Sequence, residues 1–362
     1  MMSSLLPGVR PRVKAVAAAL ATVALLLAAP LAHADPSVPP TLVDGFGLTQ
    51  VGDATGTSTD FVITVDTPQV AKEHHIKIIL PSGYWSDPTR RYPVLYFLHG
   101  SPDDPVYQNY PALSTDSMIT VIPDGGPRGW YADWRDQDTA AGAQNWETFH
   151  LDQVVPFIDA NLRTIAAKQG RAVAGVSMGG FGALHYAQDR PDLFGQVASL
   201  SGDIDLSVDS MDLRLAVVAS LTNAVGGFCG STPLSGSGDC TGLYTPAVSS
   251  DALFGSPYPV FDADRLWNDA DPSTHMDRLS GVGITIYTGD GGGDPTSLEF
   301  WVEGANTHAK EHLDALGMPY RYVDYGDGST WGSQCDGGHD AGCWAQDLVD
   351  YVPRLEQAFA AA

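Results

Sequence analysis

Short apolar runs alternate with amphipathic stretches along most of this chain. The apolar runs lie at residues 61–65, 75–80, 94–98, 119–122, 172–174, 197–200, 284–287 and 320–325, and runs of this length are typical of β-strands. Apolar residues recur at helical spacing at 146–162, 182–187, 211–225, 298–316 and 344–359. Buried strands that alternate with helices predict a mostly parallel central sheet with helices on both faces. We expect Pro156 to kink the first of these helices.

Two segments depart from this alternation. Residues 1–34 combine basic residues, an apolar stretch at 15–29 and the sequence Ala32-His33-Ala34, which together predict a secretory signal peptide cleaved near Ala34. The apolar stretch is shorter than the roughly 20 residues of a spanning helix, so we expect no stable membrane insertion. Residues 203–280 have little regular pattern beyond 211–225. They predict a long lid-like or flap-like insertion within a single domain of residues 35–362.

The charge balance narrows the classes of function. The chain has 19 Lys and Arg residues against 43 Asp and Glu residues, a formal net charge of −24. Such a charge repels nucleic acids and anionic lipid surfaces. We therefore expect no nucleic-acid partner and interpret the acidity as a solubility feature of an extracellular or cell-wall-associated protein.

All four cysteines, Cys229, Cys240, Cys335 and Cys343, lie in the C-terminal half. An even number of cysteines in an exported chain predicts disulfides, and four cysteines allow three pairings. We expect the local pairs, Cys229–Cys240 and Cys335–Cys343. Neither pair has the short spacing of a zinc site, so we expect no metal.

The pentapeptide Gly175-Val176-Ser177-Met178-Gly179 carries the strongest candidate chemistry. An apolar run at 172–174 precedes it, and a helix-forming stretch at 182–187 follows. A strand that turns sharply into a helix, with serine at the bend and small residues around it, is the nucleophile elbow of an α/β hydrolase. The alternative is a glycine-rich structural turn. The elbow predicts the α/β-hydrolase fold, with Ser177 as the nucleophile.

A serine nucleophile needs a base to take its proton, and the base follows the serine in the chain order of this fold. His339 lies in Gly337-Gly338-His339-Asp340, between the last predicted strand and the last helix. This loop is too polar and too rich in glycine to be core. His339 is therefore the candidate base, flanked by the cysteines at 335 and 343.

The base needs a carboxylate to fix its tautomer. Glu299 stands in the first turn of the helix at 298–316, where the helix dipole favours an ionised carboxylate. On spacing alone, Asp290, Asp294 and Glu303 remain alternatives.

The oxyanion of the reaction needs two backbone N–H donors. Met178 follows the nucleophile and supplies one, and Ser101, after the strand that ends at His99-Gly100, supplies the other. A competing motif is His308-Ala309-Lys310-Glu311-His312, which fits an inverted zinc-peptidase pattern. Its histidines flank an apolar stripe, and this favours a helix surface over a metal site.

Taken together, these residues resemble the esterase D-like α/β hydrolases, and most of all their secreted actinobacterial mycolyltransferase branch, the fibronectin-binding antigens. The resemblance extends from about Tyr92 to Tyr351. In that branch the acid is a glutamate that opens the corresponding helix about 18 residues before a helix-ending glycine, as Glu299 precedes Gly317. The resemblance thus implies Glu299 as the acid and supports Ser101 and Met178 as donors. Its landmarks are Pro123-Asp124-Gly125-Gly126, Trp130-Tyr131-Ala132-Asp133-Trp134, Trp146-Glu147-Thr148-Phe149, Gly175 to Gly179, Leu200-Ser201, Trp267-Asn268-Asp269, Leu298-Glu299 and His339 with Trp344.

This chain departs from that branch in two places. The mycolyltransferases carry Asp-Gly-Leu-x-x-Arg where this chain has His99-Gly100-Ser101-Pro102-Asp103-Asp104, so the expected sugar-contacting arginine is missing. They also place a tryptophan two residues after the catalytic histidine, where this chain has Ala341. These departures weaken the expectation of trehalose recognition and mycolate transfer, while the hydrolytic residues are intact.

The sequence therefore predicts a secreted serine carboxylic-ester hydrolase that forms an acyl-enzyme through Ser177, Glu299 and His339 and uses no cofactor. Its substrate would be a small-molecule or lipid ester, with Trp130 and Trp134 as candidate pocket walls or packing residues. One alternative is an acyltransferase that moves the acyl chain to a sugar or glycerol hydroxyl. A second alternative is a non-catalytic surface-binding protein on the same fold.

Overall fold

The computed structural model describes residues 37–222, 246–258 and 263–362. The predicted signal peptide at 1–34 and the predicted Cys229–Cys240 pair lie outside the described residues. Cys335 and Cys343 form a disulfide, as expected.

The described residues form a ten-stranded sheet in the order β1-β3-β4-β6-β5-β7-β8-β9-β10, with β2 paired to β3. The pairs from β6 to β10 are parallel, and those from β1 to β4 and between β4 and β6 are antiparallel. The predicted mostly parallel sheet is therefore confirmed. The strands are β1 (Thr49–Gln50), β2 (Thr55–Gly56), β3 (Asp60–Asp66), β4 (His74–Ile79), β5 (Val94–Leu98), β6 (Ile119–Pro123), β7 (Arg171–Val176), β8 (Gln196–Leu200), β9 (Gly283–Thr288) and β10 (Arg321–Asp324).

Helices cover both faces of the sheet. The α-helices are α1 (Trp146–Thr148), α2 (Val155–Asn161), α3 (Met178–Asp189), α4 (Met211–Leu221), α5 (Ala263–Ala270), α6 (Leu298–Leu316) and α7 (Ala341–Ala361). Short 3₁₀ helices lie at Pro105–Tyr107, Pro111–Leu113, Lys168–Gly170, Val208–Ser210, Ser250–Ala252, Pro272–Leu279 and Gly291–Gly293.

The central strands are buried on both sides, which is why they read as continuous apolar runs. In β5, Val94, Tyr96 and Leu98 belong to the core on the side of α2, α3 and α6. Leu95 and Phe97 belong to the core on the side of α7. Side chains alternate across a strand, so β5 supplies both cores. The central strands are thereby fixed from both faces, and their carboxyl ends lie along one edge of the sheet.

The predicted helix at 146–162 is irregular. A π-helical stretch, Phe149–Val154, joins α1 to α2, and Pro156 lies in the first turn of α2. Proline has no N–H and its ring crowds the preceding turn. The helix is therefore irregular near Pro156, as expected, and the irregularity is the π-helical stretch that precedes the proline.

The region 203–280 contains more regular structure than the sequence pattern predicts. Besides α4, its described part holds α5, a short helix that buries Trp267, and the 3₁₀ helix Pro272–Leu279. The expectation of little regular structure after 225 is therefore wrong for α5, whose eight residues are too few for a strong periodic signal. The lid-like or flap-like character of this region stays a prediction. Among the described helices, none is long and apolar enough to cross a bilayer.

Candidate active site

Ser177 occupies a strained bend between β7 and α3. Its φ is +56°, a conformation that non-glycine residues rarely adopt and that occurs at functional sites. The glycines on either side allow this bend, because a Cβ on Gly179 would overlap the carbonyl of Leu98 and one on Gly175 would overlap the carbonyl of Gly179. The predicted elbow geometry is therefore present, and it places the hydroxyl of Ser177 at the carboxyl edge of the sheet.

His339 lies between Ser177 and Glu299. Its Nε2 is 2.8 Å from Ser177 Oγ, and its Nδ1 is 2.7 Å from Glu299 Oε2. The Nδ1 atom faces a carboxylate, so it carries the proton, and Nε2 is left as the acceptor for the serine hydroxyl. The ring packs edge-on against Trp344 with centroids 5.1 Å apart. The structure thus brings the three predicted residues together in the arrangement of a nucleophile, a base and an orienting acid.

The loop that carries His339 is fixed on both sides. The disulfide between Cys335 and Cys343 spans it. The side chain of Asp340 accepts hydrogen bonds from the backbone N–H groups of Gly342 and Cys343 and so caps α7. The histidine therefore sits on a constrained segment, although its local sequence is rich in glycine.

Glu299 is fully buried in the first turn of α6. Its Oε1 accepts hydrogen bonds from Ser201 Oγ at 2.9 Å, Thr288 Oγ1 at 3.2 Å and Gly289 N at 2.9 Å, and its Oε2 faces His339. A buried carboxylate stays charged only when it is paired and hydrogen-bonded in this way. Three donors on one oxygen therefore fix which oxygen meets the histidine.

The alternative acids lie elsewhere. Asp290 accepts from Gly292 N, Asp294 is exposed and accepts from Thr296, and Glu303 accepts from Thr307. Of the four candidates, the structure brings Glu299 to the histidine.

The electrostatic surroundings favour the protonated form of His339. Burial lowers the pKa of its imidazole, but the hydrogen bond and charge of Glu299, with the charges of Asp203 and Asp340, outweigh burial and leave the pKa above its usual value. An imidazole with a raised pKa takes a proton from a hydroxyl more readily and holds it longer.

The Gly100–Ser101 peptide lies against the serine. A Cβ added to Gly100 would stand 3.2 Å from the Cβ of Ser177. The carbonyl of Gly100 accepts hydrogen bonds from His99 Nδ1 at 2.8 Å and from Asp103 N at 3.0 Å. In a trans peptide the N–H points opposite to the carbonyl. Because His99 and Asp103 hold the carbonyl of Gly100, the N–H of Ser101 points away from these two donors.

The tautomer of His99 follows from its second contact. The backbone N–H of Gly125 donates to His99 Nε2 at 2.8 Å, so Nε2 accepts and Nδ1 carries the proton. His99 is fully buried. It orients the peptide beside the serine, a role that no sequence motif predicts for it.

The two predicted pocket tryptophans lie in different surroundings. Trp130 packs against Phe181 and Phe254 and donates its indole N–H to Ser220 Oγ at 3.2 Å. Trp134 donates to the carbonyl of Gly129 at 3.1 Å and lines a cavity of about 460 Å³. Trp130 is thus placed as a packing residue, and a role for either tryptophan against substrate stays a prediction.

The histidines of the zinc-like motif have protein partners. His308 Nδ1 is 2.8 Å from Asp205 Oδ2, and His312 Nδ1 is 2.6 Å from the carbonyl of Ser273. A different cluster, Glu147, His185 and Asp189, offers ligand atoms within 4.8 Å of one another. In this cluster, His185 Nε2 lies 3.4 Å from Glu147 Oε2 and 3.7 Å from Asp189 Oδ2, and these are the distances of ion pairs.

The residues that hold Glu299 are largely absent from the sequence prediction. Ser201 has a positive φ of 47° and directly follows β8, far from Glu299 in the chain. Thr288 is the last residue of β9, and Gly289 follows it. Only the parallel pairing of β8 with β9 brings these donors together. Ser201 belongs to a landmark of the resemblance, but no local pattern links it, Thr288 or Gly289 to Glu299.

Comparison with known proteins identifies the family of this chain. The family model described as putative esterase matches residues 67–355. Esterase Rv1288 of Mycobacterium tuberculosis is 38% identical over 172 residues, which are 46% of this chain and 37% of that protein. This chain thus spans little more than a third of the length of that relative.

Two further proteins match over most of the chain. The diacylglycerol acyltransferase/mycolyltransferase Ag85B of Mycobacterium avium is 22% identical over 318 residues, 82% of this chain and 83% of that protein. The crystal structure of Mycobacterium tuberculosis MPT51 superposes with a TM-score of 0.59 at 20% identity and covers 82% of this chain and 97% of that one. That likeness supports the α/β-hydrolase fold. The chain belongs to the putative esterase family and has the α/β-hydrolase fold.

Proposed function

We propose that this protein is a serine carboxylic-ester hydrolase with Ser177 as nucleophile, His339 as base and Glu299 as orienting acid. The observation that carries the proposal is the unbroken hydrogen-bond chain from Ser177 Oγ through the imidazole to the buried Glu299 carboxylate, with both distances below 3 Å. Hydrogen-bond reach between nucleophile, base and acid is the geometric requirement for this chemistry.

The reaction proceeds in two steps. His339 Nε2 takes the proton of Ser177 as Oγ attacks the ester carbonyl, and the resulting imidazolium is stabilised by Glu299. The imidazolium then gives that proton to the leaving alcohol oxygen, and an acyl-enzyme remains. Water, deprotonated by the same imidazole, attacks the acyl carbon and releases the acid, and Ser177 recovers its proton.

The oxyanion of each tetrahedral intermediate is held by the N–H groups of Met178 and Ser101. Met178 is the first residue of α3, where unpaired N–H groups and the helix dipole favour negative charge. Ser101 contributes the N–H that His99 and Asp103 direct away from themselves. Donors of this kind contribute about 10²- to 10³-fold each to kcat in serine hydrolases.

Acyl transfer is the second candidate function. Both reactions are identical up to the acyl-enzyme and differ in whether water or an alcohol attacks it. The specific observation in its favour is the match to Ag85B over 82% of the chain. Against it stands the His99-Gly100-Ser101-Pro102-Asp103-Asp104 segment, which lacks the arginine that the resemblance implies for sugar contact.

We place this activity outside the cell. The N-terminal pattern of basic residues, apolar stretch and Ala32-His33-Ala34 supports export with cleavage near Ala34. N-terminal sequencing of the exported protein is expected to begin at Asp35, and a mature protein that retains residues 1–34 would contradict export by this route.

A chain-length series of p-nitrophenyl esters tests the function, with and without trehalose or glycerol. The proposal predicts hydrolysis that the sugar or polyol does not change, and loss of turnover in Ser177→Ala. Ser86→Ala, which removes an exposed serine, is the control and is expected to match wild type. New acyl-sugar or acyl-glycerol product would favour transfer. No turnover in wild type, with Ser177→Ala indistinguishable from it, would leave a binding protein.

A further inference from the structure

Asp203 differs from the other buried carboxylates of the described residues. Five Asp or Glu residues are buried there: Asp203, Asp205, Asp271, Glu299 and Asp347. Each of the other four accepts at least one hydrogen bond. Asp203 is 5% exposed, and no hydrogen bond within the described residues contributes to its environment. Its carboxylate oxygens are not completely enclosed by protein atoms, so they open onto solvent-accessible space.

This carboxylate lies at the same edge of the sheet as the catalytic residues, close enough for its charge to act on His339. Asp203 follows β8 by three residues, and Ser201 in between holds Glu299. Gly202 packs against the first turn of α3, since a Cβ on Gly180 would stand 2.7 Å from Gly202 Cα. The charges of His339 and Glu299 both act on Asp203, and its charge in turn acts on the imidazole.

Strand order decides which portion of an ester would meet Asp203. β7, which ends at Ser177, lies between β5 and β8. The peptide of Ser101 follows β5 and Asp203 follows β8, so the two flank the nucleophile on opposite sides. The oxyanion lies on the β5 side, where a carboxylate would repel it. The leaving oxygen must meet His339 Nε2 to receive its proton, so the alcohol portion lies toward the histidine and Asp203.

The chemistry of the group that Asp203 would bind follows from its neighbour. A buried carboxylate is satisfied by a hydrogen-bond donor. A cationic donor would be repelled when His339 becomes an imidazolium in the reaction. A hydroxyl is neutral and avoids this repulsion, and a second hydroxyl is what distinguishes a polyol ester from a simple alkyl ester.

We propose that Asp203 is a specificity-determining residue that accepts a hydrogen bond from a free hydroxyl on the alcohol portion of the ester. The inference rests on the proposed ester chemistry at Ser177 and adds the class of alcohol, a polyol such as glycerol or a sugar. An incoming polyol acceptor would occupy the same place as a leaving one.

The protonation of Asp203 agrees with this role. Burial raises the pKa of its carboxyl to about 6, the charge of His339 opposing this and that of Glu299 adding to it. The group is therefore mostly ionised at pH 7.5 and a strong acceptor. A buried, ionised carboxylate that receives no hydrogen bond from the described residues destabilises the free enzyme, as functional groups often do.

Four butyrate esters test the inference: ethyl, glyceryl, 6-O-glucosyl and choline. Initial rates of acid release at pH 7.5 give kcat and KM for wild type, Asp203→Asn and Asp209→Asn. Asp209 lies on the same segment, is exposed and serves as the matched control. Asp203→Asn is expected to raise KM for the glyceryl or glucosyl ester roughly 10-fold or more, and to leave KM for the ethyl and choline esters within about twofold. The ester whose KM rises, glyceryl or glucosyl, identifies the kind of polyol that Asp203 binds.

Other outcomes would overturn the inference. Equal losses on all four esters would mean that Asp203 acts through His339, and a loss confined to the choline ester would mean a cation site. No change on any ester would remove Asp203 from substrate recognition.

Thermal unfolding supplies a readout that does not depend on turnover. Because the substitution removes a buried charge that no described residue pairs, Asp203→Asn is expected to raise the melting temperature at pH 7.5, and a fall would assign the carboxylate a structural role. If wild type hydrolyses none of the esters, the proposed function fails and the inference with it. If wild type hydrolyses them and Ser177→Ala does not, only the comparison of Asp203→Asn with Asp209→Asn decides the inference.

Discussion

Replacing Glu299 with glutamine should invert the proton positions in the active site. Three donors, from Ser201, Thr288 and Gly289, converge on Oε1. A glutamine must therefore place its carbonyl oxygen there and its NH₂ group at the position of Oε2, which faces His339 Nδ1. An NH₂ group only donates, so Nδ1 must become the acceptor and the ring proton moves to Nε2. That nitrogen can then no longer take the proton of the serine.

The size of the loss follows from comparable chemistry. An orienting acid replaced by its amide lowers kcat about 10⁴-fold in a serine protease with intact geometry, or about 5 kcal/mol of barrier. We expect a loss of 10³- to 10⁴-fold in kcat for Glu299→Gln, with KM changed less than threefold. The fold should persist, because the three donors on Oε1 keep their acceptor and the amide finds one in Nδ1.

Steady-state hydrolysis of a p-nitrophenyl ester measures this loss, and thermal unfolding checks the fold. Glu303→Gln, one turn further along α6, is the matched control because its carboxylate contacts Thr307 and is expected to keep wild-type rates. A Glu299→Gln variant that retains more than about a tenth of wild-type kcat, or a Glu303→Gln variant that loses as much, would refute the reasoning.

Three further predictions concern pH, stability and the disulfide. The acid limb of the pH profile of kcat/KM should have its midpoint above 6.5, because Glu299 and other carboxylates raise the pKa of His339. Asp340→Asn, which keeps the cap on α7, should lower that midpoint. An unchanged midpoint in this variant would contradict the electrostatic explanation. Burial raises the pKa of Asp347 well above its usual value, so the folded state favours the neutral acid and loses stability as pH rises above about 4. In chemical denaturation, the free energy of unfolding of Asp347→Asn should match that of wild type near pH 4 and exceed it by more than about 1 kcal/mol at pH 7.5. An equal difference at both pH values would contradict this linkage. Reduction of Cys335–Cys343 should free the loop of His339 and lower kcat roughly 10-fold; unchanged turnover after reduction verified by mass spectrometry would remove this role for the bridge.

The sequence predicts those parts of the site that depend on local spacing. The elbow at Ser177 needs two flanking glycines, a strand before it and a helix after it, and all are visible within about 20 residues. His339 is also marked locally, by a polar glycine-rich loop between two cysteines. These features are properties of short segments, and local conformational preferences largely fix them.

Other parts depend on contacts between distant segments. Glu299 could not be separated from Asp290, Asp294 and Glu303 by spacing, because the choice depends on how the loop after β9 turns. That loop contains three consecutive glycines with positive φ, and periodicity does not predict its path. Asp203 carries no motif, and its lack of a hydrogen-bond donor among residues 37–222, 246–258 and 263–362 is a property of the folded chain that no sequence pattern predicts.

The most direct test of the central claim is to locate the nucleophile. Wild-type protein treated with a fluorophosphonate ester should gain one adduct by intact mass, and peptide mapping should place it on Ser177. Ser177→Ala should gain none, and His339→Ala should react far more slowly because nothing takes the proton of the hydroxyl. An adduct on another residue, or equal labelling of Ser177→Ala, would contradict the account.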